Sequence, residues 1–226
     1  MPPTFADHAI DYYLQLTEPT TLPTGISAMN PYLHPEVQVV VREFYQKFYA
    51  DTAPRVYVLG INPGRYGAGV TGISFSTPQA LAAHCGIANA LPPTPELSSR
   101  FIYRIVEAFG GAAAFYGRFF LSSLYPLALV KDGKNYNYYD DRATTEALWP
   151  VITESLRQQL QFGADRWVAV CLGRKNERDL RRLNDEQGFF DRIVTLDHPR
   201  YILQYRSKDV ELFAEKYIQT LGDCLG

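Results

Sequence analysis

A chain of 226 residues that is 46% hydrophobic and 14% aromatic can bury a full core, which excludes a disordered chain and suits one α/β domain better than two. A formal charge of -2 excludes a molecule basic throughout, and the three scattered cysteines, Cys85, Cys171 and Cys224, are too few for a disulfide framework or a four-cysteine cluster. No basic segment followed by an apolar core opens the sequence, and no apolar run approaches the roughly 20 residues of a membrane helix, so a soluble, intracellular protein without a membrane partner is expected.

Residues 6–16 read as a first helix ended by Pro19, and residues 20–35 as a loop rich in Pro, Thr and Asn with no periodicity. Val37, Val40, Val41, Phe44 and Phe48 share one helical face, so residues 1–50 are expected as a helical segment packed on the remainder of the domain. Val56-Tyr57-Val58-Leu59, partly β-branched and bracketed by Pro54 and Gly60, reads as a buried strand, although its periodicity also fits a helix segment. Just beyond it come Asn62 and the glycines Gly64, Gly67, Gly69 and Gly72, at the point where open parallel sheets bind ligands. Glycines there let backbone approach a ligand closely. Asn62-Pro63-Gly64 equally suits a type II turn. The G-x-G-x-x-G at residues 67–72 starts too late after the strand and leads into Ile73-Ser74-Phe75 instead of a helix, which makes it a poor dinucleotide fingerprint. No Lys-Ser or Lys-Thr pair follows a glycine loop, which excludes a P-loop.

Thr77 can cap a helix with Pro78 at its first position, running to about Gly86, and Ser98 or Ser99 precedes another that ends near Gly110-Gly111. Residues 118–126 form a second strand candidate that turns polar at Ser122-Ser123. Residues 131–141, K-D-G-K-N-Y-N-Y-Y-D-D, suit either a surface that stacks bases or a polar loop. A long helix is expected over 143–161 and a third strand over 167–172, leading through Gly173-Arg174-Lys175-Asn176 into a helix. Such a helix start suits a phosphate, and a plain βα turn reads the same way. Residues 190–196 give a fourth strand with Asp197-His198-Pro199-Arg200-Tyr201 at its exit. This alternation predicts a three-layer α/β/α sandwich around a central four-stranded, mostly parallel sheet. Residues 166–208 carry ten Lys and Arg against six Asp and Glu, net +4, which is a local basic footprint or a solvated helix face.

The unbroken string G-I-N-P-G-R-Y-G-A-G-V-T-G-I-S-F over residues 60–75 resembles the first motif of the single-strand-selective monofunctional uracil-DNA glycosylases. In that family the Asn positions the hydrolytic water and the final aromatic stacks on the extruded base. The resemblance therefore implies those roles for Asn62 and Phe75, within a base pocket formed with Gly60, Ile61, Pro63, Gly64, Tyr66 and Gly67. For Phe75 an ordinary core position is the other reading. Ser123 stands where the family has an Asn that reads the polar edge of uracil; a rotatable hydroxyl in place of a rigid amide predicts a wider choice of base. His198-Pro199 stands at the second motif, whose His donates to the departing base. The rest of that motif, H-P-S-P-x-N-P, is replaced by H-P-R-Y-I-L-Q-Y-R. By chemistry Arg200, Tyr201, Gln204, Tyr205 and Arg206 suit a wedge that enters DNA, with Arg174 and Lys175 as further phosphate contacts.

The resemblance spans roughly residues 55–206. It implies one glycosylase domain over residues 1–226, acting as a monomer on single- or double-stranded DNA with the damaged base flipped out, with no metal or other cofactor, in the cytoplasm (the bacterial nucleoid) or the nucleus. The expected activity is monofunctional hydrolysis of the N-glycosidic bond of uracil, and of xanthine and hypoxanthine, in base excision repair. A lyase would need a positioned amine, and no lysine lies beside either motif in the sequence. A non-catalytic nucleic-acid-binding relative of the same fold and a Rossmann-like nucleotide-binding enzyme are the other readings.

Overall fold

The chain opens with a reciprocal cap: Asp7 N–H donates to the Thr4 hydroxyl at 3.2 Å and Thr4 N–H donates to the Asp7 carboxylate at 2.7 Å. This satisfies two N–H groups that a helix start leaves free and fixes the origin of α1 (Phe5–Leu14). The computed structural model describes residues 2–20 and 22–226. After β1 (Ile26–Met29), α2 (Pro35–Phe48) buries Val37, Val40, Val41 and Phe44 on the face their spacing defines. It delivers the chain to β2 (Arg55–Gly60), in which every residue is buried. A short turn of helix, α3 (Ala68–Thr71), comes next. Then comes α4 (Pro78–Cys85), with Ala80 N–H bonded to the Thr77 hydroxyl and Gly86 closing the helix in the left-handed region.

α5 (Leu97–Ala108) and α6 (Ala112–Tyr116) lead to β3 (Phe119–Ser123), β4 (Ala128–Lys131) and β5 (Lys134–Tyr136). The remainder is α7 (Arg142–Gln159), β6 (Ala164–Leu172), α8 (Arg174–Gln187), β7 (Arg192–Leu196), α9 (Pro199–Tyr205) and α10 (Val210–Asp223). The four strands β3-β2-β6-β7 pair in that order, all parallel. Helices α1 and α7 lie on one face, where Tyr57 Oη donates to the Gln159 carbonyl at 2.5 Å and the Tyr13 and Ser122 hydroxyls are bonded at 3.0 Å. Strand side chains alternate, so Phe119 points to the other face and packs its ring on Phe109 at 5.4 Å, beside α5. Phe101 of α5 in turn meets Tyr217 of α10 at 4.9 Å. The α/β/α sandwich and its parallel sheet are those expected from the sequence.

Because β3 lies on one side of β2 and β6 on the other, the strand order reverses at the carboxyl end of β2. Gly60 pairs with Ser123 and Leu59 with Cys171, so the three exits lie level. That is where a doubly wound sheet opens a crevice.

Two stretches expected as loops are strands instead. Residues 20–35 contain β1, and residues 131–141 contain β5; with β4 they form a separate antiparallel sheet, β1-β4-β5. The turn between β4 and β5 is Asp132-Gly133, with φ of 50° and 69°. Two successive left-handed residues make the tight turn whose twist suits a hairpin, and Asp-Gly is its sequence signature. The three strands are too short to show alternation, which is why pattern alone missed them. α5 also departs from expectation: it starts at Leu97 with Glu96 preceding it, and Ser98 and Ser99 are buried in its first turn without capping it. The wedge segment, residues 200–206, lies mostly within the regular helix α9.

Candidate active site

The crevice is a cavity of about 1040 Å³ lined by the exits of β2, β3, β6 and β7 together with β5, α9 and the turn before α5. Of the residues expected there from the sequence, all line it except Gly60, Gly67 and Arg206. The two glycines lie directly beneath lining side chains. A Cβ on Gly60 would stand 2.8 Å from the Phe75 ring, and one on Gly67 would stand 2.0 Å from Oε2 of Glu96. Arg206 is engaged elsewhere: it pairs with Asp209 at 2.8 Å and its guanidinium lies 5.6 Å from the Phe213 ring centre.

Asn62 leaves β2 by two residues and is caught by the hairpin. Its Nδ2 donates to the carbonyls of Tyr136 at 3.0 Å and Pro63 at 3.2 Å, and its Oδ1 accepts the Tyr138 N–H at 3.2 Å. Both amide hydrogens are used and one of the two oxygen lone pairs is not. The amide therefore cannot flip, and its remaining lone pair has a fixed direction. Asn135 on β5 accepts the Arg65 N–H at 2.9 Å, so the same hairpin also holds the next turn of the motif.

Behind Asn62, Asn176 is fully buried. It donates to the carbonyls of Leu59 at 3.2 Å and Gly60 at 3.0 Å and accepts from the Tyr138 hydroxyl at 3.0 Å. The Gly60 carbonyl also accepts Leu124 N–H, and Ile61 carbonyl accepts Tyr125 N–H, each at 3.1 Å. Asn176 thus acts as a buried clamp on the end of β2, while Arg174 and Lys175 beside it point outward to the cavity mouth.

Phe75 stands half-buried with φ of +56°, a left-handed conformation that costs a bulky residue on the order of 1–3 kcal/mol. The surroundings impose it: Thr71 Oγ1 donates to the Ser76 carbonyl at 2.9 Å, and the Tyr32 hydroxyl donates to the Gly72 carbonyl at 2.9 Å. The ring lies over Gly60, with its centre 6.0 Å from that of His198. Phe75 is therefore a cavity wall and not an ordinary core side chain.

His198 ends β7 and caps α9, with Nδ1 accepting the Arg200 N–H at 3.2 Å. An acceptor nitrogen carries no proton, so the neutral ring has its hydrogen on Nε2. Burial, and secondarily the Arg200 guanidinium, push its pKa down to about 4. Gly173 at the start of α8 lies against His198, and a Cβ there would be 3.4 Å from the His198 Cβ. At neutral pH His198 is an uncharged hydrogen-bond donor.

Ser123 closes β3 opposite Gly60. It is buried, and its hydroxyl has no protein partner among the described residues. Around the rim, Arg200, Tyr201, Gln204 and Tyr205 project from α9, whose Pro199 and Ile202 are buried. The rings of Tyr201 and Tyr205 lie 5.7 Å apart and both are exposed. Lys134 also lines the cavity, as does Lys175, and both are exposed. Among the described residues no cluster of three His, Cys, Asp or Glu could hold a metal ion, and no helix is long and apolar enough to cross a membrane.

Sequence reasoning missed Glu96, Asn135, Tyr136 and Tyr138. The Asp-Gly pair was the one available signal for the hairpin that carries three of them. Nothing near Pro95-Glu96 announced that a carboxylate would reach the cavity.

The chain that carries these strand exits is matched over residues 46–222 by a family model described as the uracil DNA glycosylase superfamily. The chain belongs to that superfamily and is a DNA glycosylase hydrolase of the base excision repair type. Among solved structures it is similar to wild-type SMUG2 of Pedobacter heparinus, at 41% sequence identity, with 98% of each chain covered and a TM-score of 0.94. No curated protein matches the chain.

Proposed function

We propose that the protein is a monofunctional glycosylase that removes uracil, and deaminated purines with it, from DNA as a monomer, with the target base flipped into the cavity. The observation that carries this reading is the fixed Asn62 amide. Its one free lone pair orients a water, and the same cavity holds a neutral His198 that donates through Nε2–H. As the glycosidic bond lengthens, charge gathers on the base and an oxocarbenium-like sugar forms. One preorganised donor to the base oxygen is worth about 3 kcal/mol, and an oriented water needs no strong base to meet so electrophilic a carbon.

Phe75 offers a face for the base, and α9 with Arg174 and Lys175 offers cations and aromatic bulk for the strand and the gap left behind. Lys134 and Lys175 are exposed, whereas a lyase activates its amine by desolvation, which supports hydrolysis without strand cleavage. The free, rotatable Ser123 hydroxyl is the reason to include xanthine and hypoxanthine, since it adapts to a donor or an acceptor. Such an enzyme works where DNA is, in the bacterial nucleoid or the nucleus.

A labelled oligonucleotide with a single deoxyuridine tests the reading. Scission only after hot alkali supports it, scission without alkali makes the enzyme a lyase, and binding without scission makes the chain a non-catalytic relative. For base choice, Ser123→Asn should shift preference toward uracil, because a mismatched edge would leave a buried amide unpaired at about 1–3 kcal/mol. An unchanged ranking over uracil, xanthine and hypoxanthine would remove Ser123 from base selection.

A further inference from the structure

Of the side-chain oxygens sealed from solvent that lack a partner among the described residues, Oε2 of Glu96 alone belongs to a residue of the cavity wall. Glu96 immediately precedes α5, where a carboxylate would ordinarily bond the free N–H groups of the first turn, yet its side chain makes no such bond. It lies instead over the first motif: Oε2 would be 2.0 Å from a Cβ on Gly67, and Oε1 would be 3.5 Å from one on Gly64. In this position of the side chain only a glycine at 67 leaves room for it. The side chain is half-buried, Oε2 packs against Gly67 and Oε1 stays open to the cavity, and neither oxygen has a protein partner among the described residues; such a carboxyl is costly to keep and calls for a partner that arrives with the ligand.

We propose that Glu96 is a further catalytic residue, the general acid for deaminated purines, its protonated carboxyl delivering a proton to N7 of the flipped base. The inference rests on the proposed purine activity and explains how the same cavity supports it. Uracil has no ring nitrogen with a free lone pair, because N1 is glycosidic and N3 carries hydrogen; hypoxanthine and xanthine both present N7. In the step, the Glu96 O–H bond breaks and an N7–H bond forms. The C1′–N9 bond breaks with its electron pair passing to N9, so the base leaves neutral. The water held by Asn62 bonds to C1′ and releases its proton to the Glu96 carboxylate, which restores the acid. Uracil departs as an anion through His198 alone.

The site keeps the proton available near neutrality. Burial pushes the Glu96 carboxyl up to about 7, and Arg200 opposes this by favouring the charged form. The other charged or titratable groups that share the cavity wall with it are Arg65 and Tyr66 on the turn beneath, Lys134, Tyr136 and Tyr139 on and after β5, Arg174 and Lys175 at the start of α8, Asp197 and His198 after β7, and Tyr201 and Tyr205 on α9. His198 is already neutral throughout this range and does not titrate with Glu96.

The test is single-turnover excision from duplexes with one hypoxanthine or one uracil, from pH 5.5 to 9, by the wild type and Glu96→Gln. An acid form with a pKa near 7 predicts that hypoxanthine excision falls about fiftyfold between pH 7 and 9 while uracil excision does not share the fall. Glu96→Gln should abolish that limb and lower hypoxanthine excision at pH 6 by about a hundredfold, with a much smaller loss on uracil. An unchanged circular dichroism spectrum should show that the variant is folded, since amide and carboxyl have the same shape. Parallel pH profiles for the two bases in the wild type would overturn the assignment without any variant. Equal losses on both bases, or a rate that rises with pH, would do so while leaving purine excision intact; the rise would mark Glu96 as a base acting on water. A wild type that removes uracil and no purine at any pH would sink the purine reading, and this inference with it.

Discussion

The two sides of the cavity are held in different ways. On the Asn62 side, side-chain amides grip backbone: Asn62 on the hairpin, Asn135 on the Arg65 N–H and Asn176 on two β2 carbonyls. On the His198 side one hydrogen bond caps a two-turn helix, and the rest of that helix turns charge and aromatic rings outward around a buried Pro199 and Ile202. The difference matches the work proposed for each side. Water must be placed within a fraction of an ångström, and a misplacement of about 1 Å can cost a hundredfold in rate. A surface that tracks a DNA strand gains from adaptable contacts. Rigidity lies on the side proposed to hold the reacting water.

Asn62→Ala should break the comparison hardest. We expect roughly a hundredfold or greater loss of single-turnover uracil excision, with DNA binding retained by gel shift and an intact circular dichroism spectrum. Near wild-type excision by the folded variant would remove Asn62 from the mechanism.

His198→Ala comes second, with a loss near a hundredfold on uracil from about 3 kcal/mol of leaving-group stabilisation and a smaller loss on 5-fluorouracil, whose anion needs less help. Equal losses would make His198 structural. Its pKa also links to stability with a definite sign. The folded value of about 4 lies below the 6.5 of the unfolded ring, so the unfolded state binds more protons between those values. Stability contributed by the neutral ring is present above pH 6.5 and is lost as pH falls toward 4. Melting temperatures of the His198→Ala variant should be flatter across that window.

Gly60→Ala probes the floor. Its Cβ would stand 2.8 Å from the Phe75 ring, so the ring must shift, and we expect about tenfold slower excision with little change in melting temperature. Unaltered kinetics would mean that the base does not rest on Phe75.

The mildest test concerns α9. Arg200→Ala should reduce the slope of log affinity against log salt by about one, as one phosphate contact is lost. Arg206→Ala should leave the slope unchanged, because Arg206 is committed to Asp209. A reversed pattern would move the DNA path to the far side of the helix.

Much of this was legible in the sequence. Buried strands announce themselves as short apolar runs, and β2, β3, β6 and β7 fall where those runs do. Asn62, Phe75, Ser123 and His198 were found because each stands at a strand exit or in a motif dense enough to name. The hairpin was not found because its hydrogen bonds run to residues far along the chain: Tyr136 and Tyr138 meet Asn62 across more than seventy positions. Short strands whose stability comes from such partners leave little periodicity to read. Glu96 was hidden for a related reason. A glutamate before a helix looks like a solvated cap, and only the packing of Gly64 and Gly67 shows where its carboxyl goes. Arg206, expected as a DNA contact from its charge and its proximity to His198, lies off the cavity wall and pairs with Asp209 three residues on.

The Asn176 clamp has a consequence on the timescale of backbone opening. It ties the end of β2 to β6 and α8, while the N–H groups of Leu124 and Tyr125 tie it to the chain leaving β3. None of these groups can reach water unless the three strand ends separate together, which is an opening of global size. Their amide hydrogens should therefore exchange with solvent at the rate of whole-molecule unfolding. The amides of Ile202 and Arg206 depend on single bonds within α9 and should exchange by local fraying long before that.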